Sequence, residues 1–127
     1  MKQTMNHKIL IVEDEAIVTM EMEMKLQSRG YKNIYIAHNG IDAINLAKQN
    51  SFHLILMDII LPGEIDGIEA IEQISVFGKC PVIYITGNSD VKKNARLLET
   101  KPADVLIKPV SEWKLIEAIE KTIGEAE

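Results

Sequence analysis

Short apolar runs alternate along the chain with longer segments in which apolar residues recur every three or four positions. The runs predict five strands, over 8–13, 33–38, 52–57, 81–86 and 103–108. Continuous apolar character is typical of strands that are covered on both faces of a parallel sheet. The spaced segments predict five helices between and after the strands, over 16–29, 41–49, 68–77, from 89 onwards and from 111 onwards.

The helical spacing also predicts which residues of each helix face the sheet. In the first helix these are Ile17, Met20 and Met24, and Gly30 ends the helix. Ser89 is the predicted N-cap of the fourth helix and Ser111 that of the fifth. The remaining predicted inner positions are Ala43, Ile44, Ala47, Ile68, Ile71, either Ile74 or Ser75, Val91, Ala95, Leu98, Ile116, Ile119 and Ile123.

Strict alternation of strand and helix predicts an α/β fold with helices on both faces of a parallel sheet. With right-handed crossovers, the common five-stranded solution is the flavodoxin-like doubly wound sheet of order 2-1-3-4-5. No repeat, linker or low-complexity tract divides the sequence. Residues 1–127 are therefore expected to form a single domain, with a core over about 8–123.

Composition narrows the possible partners and compartments. The net charge of −5 argues against a nucleic-acid surface, which requires clustered Lys and Arg. Cys80 is the only cysteine, so no intrachain disulfide can form, and it is expected to be a small packed residue. No secretory signal and no membrane-spanning segment is visible. We expect a cytoplasmic protein that contacts neither nucleic acid nor membrane.

Polar residues follow four of the five predicted strands at their carboxyl ends. They are Glu13 and Asp14 after the first strand, Asp58 after the third, Thr86 at the end of the fourth and Lys108 at the end of the fifth. Open parallel sheets bind ligands at this edge, where the strand order reverses, which here is between the first and third strands. We therefore expect the three acids to meet there, with the threonine and the lysine closing the far side.

Three carboxylates so close together repel one another, and a divalent cation removes that repulsion. Mg²⁺ fits because it binds one or two carboxylates and accepts phosphate oxygens among its other ligands. With the metal beside it, Asp58 can act as a nucleophile toward phosphorus. Lys108 would neutralise one phosphoryl oxygen, and the hydroxyl of Thr86 would donate to another. The pattern thus indicates a Mg²⁺-dependent phosphoacceptor site.

The segments "ILIVEDE", "LILMDIILPGEIDGIEA", "VIYITG" and "LIKPV" resemble the response-regulator receiver domains of two-component signalling, the CheY-like superfamily. The resemblance extends from about Lys8 to Ile123. It implies that Asp58 accepts a phosphoryl group from the phosphohistidine of a sensor histidine kinase or phosphotransfer protein. It also implies a signalling module rather than an enzyme.

The resemblance further implies roles for the neighbouring residues. Asp14 and Asp58 would bind Mg²⁺ directly, Glu13 would bind it through water, and the carbonyl of Ile60 would complete the protein ligands. Thr86 would move toward the phosphoryl group on activation. Lys108 matches the family's lysine, and the peptide bond that precedes Pro109 is cis in the family. A downstream partner or a second copy would bind the face formed by the fourth helix, fifth strand and fifth helix.

Two positions depart from the family's pattern. Val105 stands three residues before the lysine, where family members usually carry the Tyr or Phe that moves with the threonine. The stretch from Pro62 to Gly67 is one residue longer than the commonest pattern.

Trp113 either belongs to the partner face or packs partly against the start of the last helix.

Two other classes of protein share parts of this chemistry. An aspartate-nucleophile phosphatase usually carries its nucleophile after the first strand and a second acid two residues later, where this chain has Ile60 after Asp58. A flavodoxin-type nucleotide binder would place its phosphate at the loop after the first strand. The acids Glu13, Asp14 and Glu15 occupy that loop and repel a phosphate.

Overall fold

The computed structural model describes residues 6–124 and contains five strands and five α-helices in strict alternation. The strands are β1 (Lys8–Val12), β2 (Asn33–Ala37), β3 (Leu54–Asp58), β4 (Val82–Thr86) and β5 (Asp104–Ile107). The helices are α1 (Ala16–Ser28), α2 (Gly40–Gln49), α3 (Gly67–Ile74), α4 (Ala95–Glu99) and α5 (Glu112–Ile123). All strand pairs are parallel in the order β2-β1-β3-β4-β5, which confirms the predicted fold class.

Alternate side chains of each strand enter two apolar layers, one on each face of the sheet. In β3, Ile55 and Met57 pack in the layer covered by α2, α3 and α4, whereas Leu54 and Leu56 pack in the layer covered by α1 and α5. Every residue of β3 is buried, as expected for the central strand. Asp58 ends this strand, so the chain leaves the core on a carboxylate. None of the helices within residues 6–124 has the length and apolarity needed to cross a bilayer.

Side-chain caps fix where three of the helices begin. Asn39, Asp66 and Ser111 each accept a hydrogen bond from the backbone N–H three residues later, at 2.8, 2.8 and 3.1 Å. Each cap satisfies an N–H that has no partner within its helix. Gly30, with φ of 96°, follows the end of α1 and confirms the predicted stop.

The predicted inner face of α1 is wrong. Ile17, Met20 and Met24 are 71%, 60% and 66% exposed. The helix instead buries Thr19 and Leu26 against the sheet. Because apolar residues occur on both sides of α1, spacing alone is compatible with two inner faces, and contact with the sheet selects the other one.

The fourth helix begins later than predicted. Ser89–Lys93 forms a 3₁₀ turn, and Asn94 caps α4 by accepting hydrogen bonds from the N–H groups of residues 96 and 97 at 2.9 and 3.2 Å. This shift turns Leu97 into the core and leaves Leu98 55% exposed. The helix that covers this part of the sheet is therefore only five residues long.

Gly67 allows the turn from β3 into α3 to lie directly against the end of β3. Its N–H donates to the carbonyl oxygen of Ile59 at 2.7 Å. A Cβ at this position would overlap the backbone oxygen of Asp58 and would lie 2.9 Å from the Cα of Ile59. A side chain at residue 67 therefore requires movement of the backbone that carries Asp58.

The corrected face of α1 leads to a matched pair of substitutions. Met20→Lys is expected to change the free energy of unfolding by about 0.5 kcal/mol or less, because exposed positions tolerate replacement. Leu26→Ala is expected to cost about 2–5 kcal/mol, because it removes a fully buried side chain. Urea unfolding followed by circular dichroism measures both. A larger loss for Met20→Lys than for Leu26→Ala would contradict the observed packing.

The contact of Gly67 with β3 leads to a second pair. Gly67→Ala is expected to destabilise the protein by roughly 1–3 kcal/mol or more, because the added methyl overlaps backbone atoms. Gly87→Ala is the control, since a Cβ there meets nothing within 4 Å. Thermal unfolding of the two variants measures the difference. Equal losses would show that the close approach at Gly67 is unimportant.

Candidate functional site

The strand order brings three carboxylates together at one edge of the sheet. β1 and β3 are neighbours with Val12 opposite Met57, so the residues that follow, Glu13 and Asp58, are adjacent. Asp14 is the next residue along the chain. One carboxylate oxygen from each of these three acids lies within 4.8 Å of the other two. Glu13 and Asp58 are buried and Asp14 is exposed, so the group opens to solvent on one side.

Lys108 lies between two of these acids. Its Nζ donates to Oε1 of Glu13 at 2.9 Å and to Oδ2 of Asp58 at 3.0 Å. The backbone N–H of Lys108 donates to the carbonyl oxygen of Thr86 at 2.8 Å, which fixes the chain beyond β5 against β4. The bond between Lys108 and Pro109 is cis, as the resemblance implies.

The two buried acids favour the protonated form of this lysine. Partial burial by itself lowers the pKa of Lys108, but hydrogen bonds and charge attraction from Glu13 and Asp58 outweigh it. The net effect raises the pKa above the usual value of 10.5. The side chain is therefore an ammonium ion at neutral pH, held between the two buried carboxylates.

Backbone groups orient the two buried carboxylates. Oδ1 of Asp58 accepts a hydrogen bond from the N–H of Ile60 at 3.2 Å, and Oε2 of Glu13 accepts one from the N–H of Glu15 at 3.1 Å. Nδ1 of His38 lies 2.9 Å from the carbonyl oxygen of Glu13. The site prediction omitted His38, although the pairing of Val12 with Ala37 in β2 places the following residue beside Glu13.

Thr86 lies at the same edge of the sheet but its hydroxyl has a different neighbour. The residue ends β4 and is completely buried. Its Oγ accepts a hydrogen bond from the N–H of Asn88 at 3.3 Å. The structure therefore brings Glu13, Asp14, Asp58 and Lys108 into one cluster, and joins Thr86 to it through the backbone. The role of the Ile60 carbonyl as a metal ligand stays a prediction.

An aromatic residue lies beside Val105, on the neighbouring strand. Tyr84 of β4 is paired with Val105 of β5 in the parallel register, and both belong to the same apolar layer. The hydroxyl of Tyr84 forms a hydrogen bond of 2.8 Å with that of Thr100, which follows α4. Burial raises the pKa of Tyr84 to about 12. Sequence reasoning missed this contact because it compared positions along β5 only.

The donor set fits the predicted Mg²⁺. All three side chains offer oxygen atoms, the ligands that Mg²⁺ and Ca²⁺ prefer. Three carboxylates and one ammonium ion carry a net charge of −2, which a divalent cation balances. The exposure of Asp14 leaves a path by which a hydrated ion can enter.

Trp113, a candidate for a partner face, is 65% exposed on α5. It borders a surface cavity of about 340 Å³ that also involves Arg29 from the end of α1. The exposure shows that Trp113 packs little against the rest of the chain. Its participation in a partner face stays a prediction.

Comparison with known proteins places this geometry in a family context. The chemotaxis protein CheY of Bacillus subtilis is 31% identical over 121 residues, which cover 94% of this chain and 100% of that protein. The transcriptional regulatory protein ResD of the same species is 32% identical over 126 residues, 99% of this chain but 52% of ResD. The chain therefore spans about half the length of several curated relatives that it matches.

Solved structures agree with the sequence relatives. The receiver domain of a sensor histidine kinase from Pseudomonas aeruginosa, solved with magnesium coordinated in its active site cleft, has a TM-score of 0.81 and 30% identity over 94% of this chain and 98% of that one. The family described as the response regulator receiver domain matches residues 9–120. Because this match covers most of the sequence, the chain belongs to the response regulator receiver domain family.

Proposed function

We propose that this receiver domain accepts a phosphoryl group on Asp58, in the presence of Mg²⁺ bound by Glu13, Asp14 and Asp58. The observation that carries the proposal is the position of Lys108 Nζ, 3.0 Å from Oδ2 of Asp58 beside the cluster of acids. The donor is the phosphohistidine of a sensor histidine kinase or of a phosphotransfer protein. Phosphoryl transfer depends mainly on such positioning and charge stabilisation.

The chain's own residues supply the nucleophile and part of the charge. A carboxylate oxygen of Asp58 forms the new P–O bond while the P–N bond to the donor imidazole breaks, and the departing ring takes a proton from solvent. Lys108 is close enough to Asp58 to form an ion pair with an oxygen of the transferred phosphoryl group. Mg²⁺, when bound, neutralises charge on the oxygens of the transferred group. The hydroxyl of Thr86 would leave Asn88 and donate to another of these oxygens.

A change at Thr86 would reach the partner face through its neighbours. The carbonyl of Thr86 already accepts a hydrogen bond from the backbone of Lys108, directly after β5. The two helices that belong to the proposed face, α4 and α5, carry the exposed side chains of Leu98 and Trp113 respectively. We propose that this face binds a downstream partner or a second copy once Asp58 is phosphorylated.

The alternative, an aspartate-nucleophile phosphatase, requires a general acid near the nucleophile. The position two residues after Asp58 holds Ile60, whose side chain is 71% exposed and cannot transfer a proton. A stable phosphoryl adduct on the protein therefore fits the site better than repeated turnover of a phosphate ester.

The phosphoacceptor proposal is tested by incubating the protein with Mg²⁺ and acetyl phosphate and measuring the intact mass. We expect one phosphoryl adduct on the parent chain and none on Asp58→Asn, because the amide is a poor nucleophile. Asp104→Asn, at the exposed start of β5, is the matched control and should accept one group. Chelation of Mg²⁺ should abolish the adduct in both active forms. An adduct of the same yield on Asp58→Asn would refute the proposal.

The charge balance of the site leads to a test by Lys108→Gln. Without Mg²⁺, this change is expected to lower the free energy of unfolding by roughly 1–3 kcal/mol, because Glu13 and Asp58 lose their counter-charge. Mg²⁺ should then stabilise the variant more than the parent, because the cation replaces the missing ammonium ion. Thermal unfolding at increasing MgCl₂ measures this, with the exposed Lys114→Gln as control. An equal effect of Mg²⁺ on all three proteins would contradict the proposed metal site.

A further inference from the structure

A second cavity lies at the opposite end of the sheet from the acids. It has a volume of about 560 Å³ and lies between the end of α3 and the end of α4. Cys80 and Pro81, which precede β4, form part of its wall. Asp58 and Thr86 stand at the far ends of β3 and β4, so this cavity is separate from the candidate phosphoryl site. Its volume lies in the range of about 300–1,000 Å³ that is typical of small-molecule sites.

Core residues form the inner wall of the cavity, beside the carboxyl end of α4. Leu97 is the buried residue of this helix, and Glu99 and Thr100 at its end line the cavity. Three isoleucines of the core, Ile55, Ile71 and Ile74, line the cavity, and each is less than 10% exposed. An apolar group placed there would contact the core directly and remove apolar surface from water.

The charged residues around the cavity favour an anion. Lys79 and Lys101 line it, and neither forms an ion pair within residues 6–124. Two acids line the cavity. A guanidinium nitrogen of Arg96 lies 2.8 Å from Oε1 of Glu72 and neutralises it, so the carboxylate of Glu99 is the one left to oppose the two lysines. The lining thus has two ammonium groups without an ion-pair partner in the described part of the chain and one such carboxylate. Its net charge is positive, next to the apolar surface of the isoleucines.

The cavity also touches the contact that ties α4 to the sheet. Thr100 lines it, and its hydroxyl is the hydrogen-bond partner of Tyr84, 2.8 Å away. Tyr84 and Thr86 lie two residues apart on one face of β4. A molecule in the cavity would therefore contact Thr100, whose hydrogen bond joins the end of α4 to β4. β4 is the strand that ends at Thr86, beside the candidate phosphoryl site.

We propose that this cavity binds a small amphipathic carboxylate. The apolar part of the ligand lies over Ile55, Ile71 and Ile74, and its carboxylate pairs with Lys79 and Lys101. The proposal concerns a site distinct from Asp58 and does not rest on phosphorylation. It can therefore fail while the phosphoacceptor proposal holds, and the reverse.

Cys80 provides a site-specific test, because it is the only cysteine of the chain and lines the cavity. The rate at which iodoacetamide alkylates Cys80 is measured by intact mass at increasing concentrations of 4-phenylbutyrate, without Mg²⁺. At a concentration about nine times the Kd, about one tenth of the protein is free, so alkylation should be roughly ten times slower. Burial raises the pKa of the Cys80 thiol to about 11, so the comparison uses relative rates at one alkaline pH.

Two controls separate recognition of the carboxylate from general apolar binding. The neutral analogue 4-phenylbutan-1-ol should protect Cys80 markedly less at the same concentration. The double variant Lys79→Gln, Lys101→Gln should bind phenylbutyrate roughly fivefold more weakly, because two attractive charges are lost. Lys92→Gln, Lys93→Gln removes two exposed lysines of the 3₁₀ turn and should bind like the parent.

A variant that blocks the cavity tests whether phenylbutyrate protects Cys80 by binding in the cavity or at another place on the protein. Ser75 is exposed at the end of α3 and lines the cavity, so Ser75→Trp should fill the opening without changing the core and should abolish the effect of phenylbutyrate. The proposal is overturned if phenylbutyrate gives no saturable protection. Equal protection by the neutral analogue, or unchanged affinity in the Lys79, Lys101 double variant, overturns it as well.

Discussion

The ion pairs of Lys108 with Glu13 and Asp58 are the interaction on which the site depends. Both carboxylates are buried, and a buried carboxylate without a counter-charge destabilises the folded state. Glu13 and Asp58 are 95 and 50 positions from Lys108 along the chain, and the order β2-β1-β3-β4-β5 brings the three residues together. The strand order and the site are thus linked, because the order places the strand ends that carry these three charges at one edge of the sheet.

The same pairs leave the site short of positive charge. One ammonium ion faces three carboxylates, so the folded protein retains two negative charges in a small volume. The fold tolerates this because Asp14 is exposed and the cluster opens to water. The arrangement favours a divalent cation at the open side and holds Lys108 at Oδ2 of Asp58. The contacts that offset the burial of these charges are therefore the same contacts on which the proposed function depends.

Much of the fold and of the candidate site could be predicted from the sequence, because the apolar runs identify the strands unambiguously. The apolar run that ends at Asp58 is compatible with one central strand, and the residues that follow each strand must share one edge of a parallel sheet. The inner face and the start of a helix are harder to predict, for a physical reason. In α1, Met20 and Met22 lie on different sides, and nothing local decides which side meets the sheet. In the fourth helix, Ser89 and Asn94 are both good caps, and the structure uses the second.

The contact of Tyr84 with Thr100 shows why sequence position alone misses some of the coupling. Along β5, Val105 stands where members of the family usually carry Tyr or Phe. The sequence of β5 therefore gives no basis for the usual coupling between that ring and the threonine. In the parallel register the neighbour of Val105 is Tyr84, so an aromatic ring still lies in this layer, contributed by β4. Its hydroxyl binds the residue after α4, and Thr86 lies on the same face of its strand. The strand that ends at Thr86 therefore also carries the side chain that contacts the residue after α4.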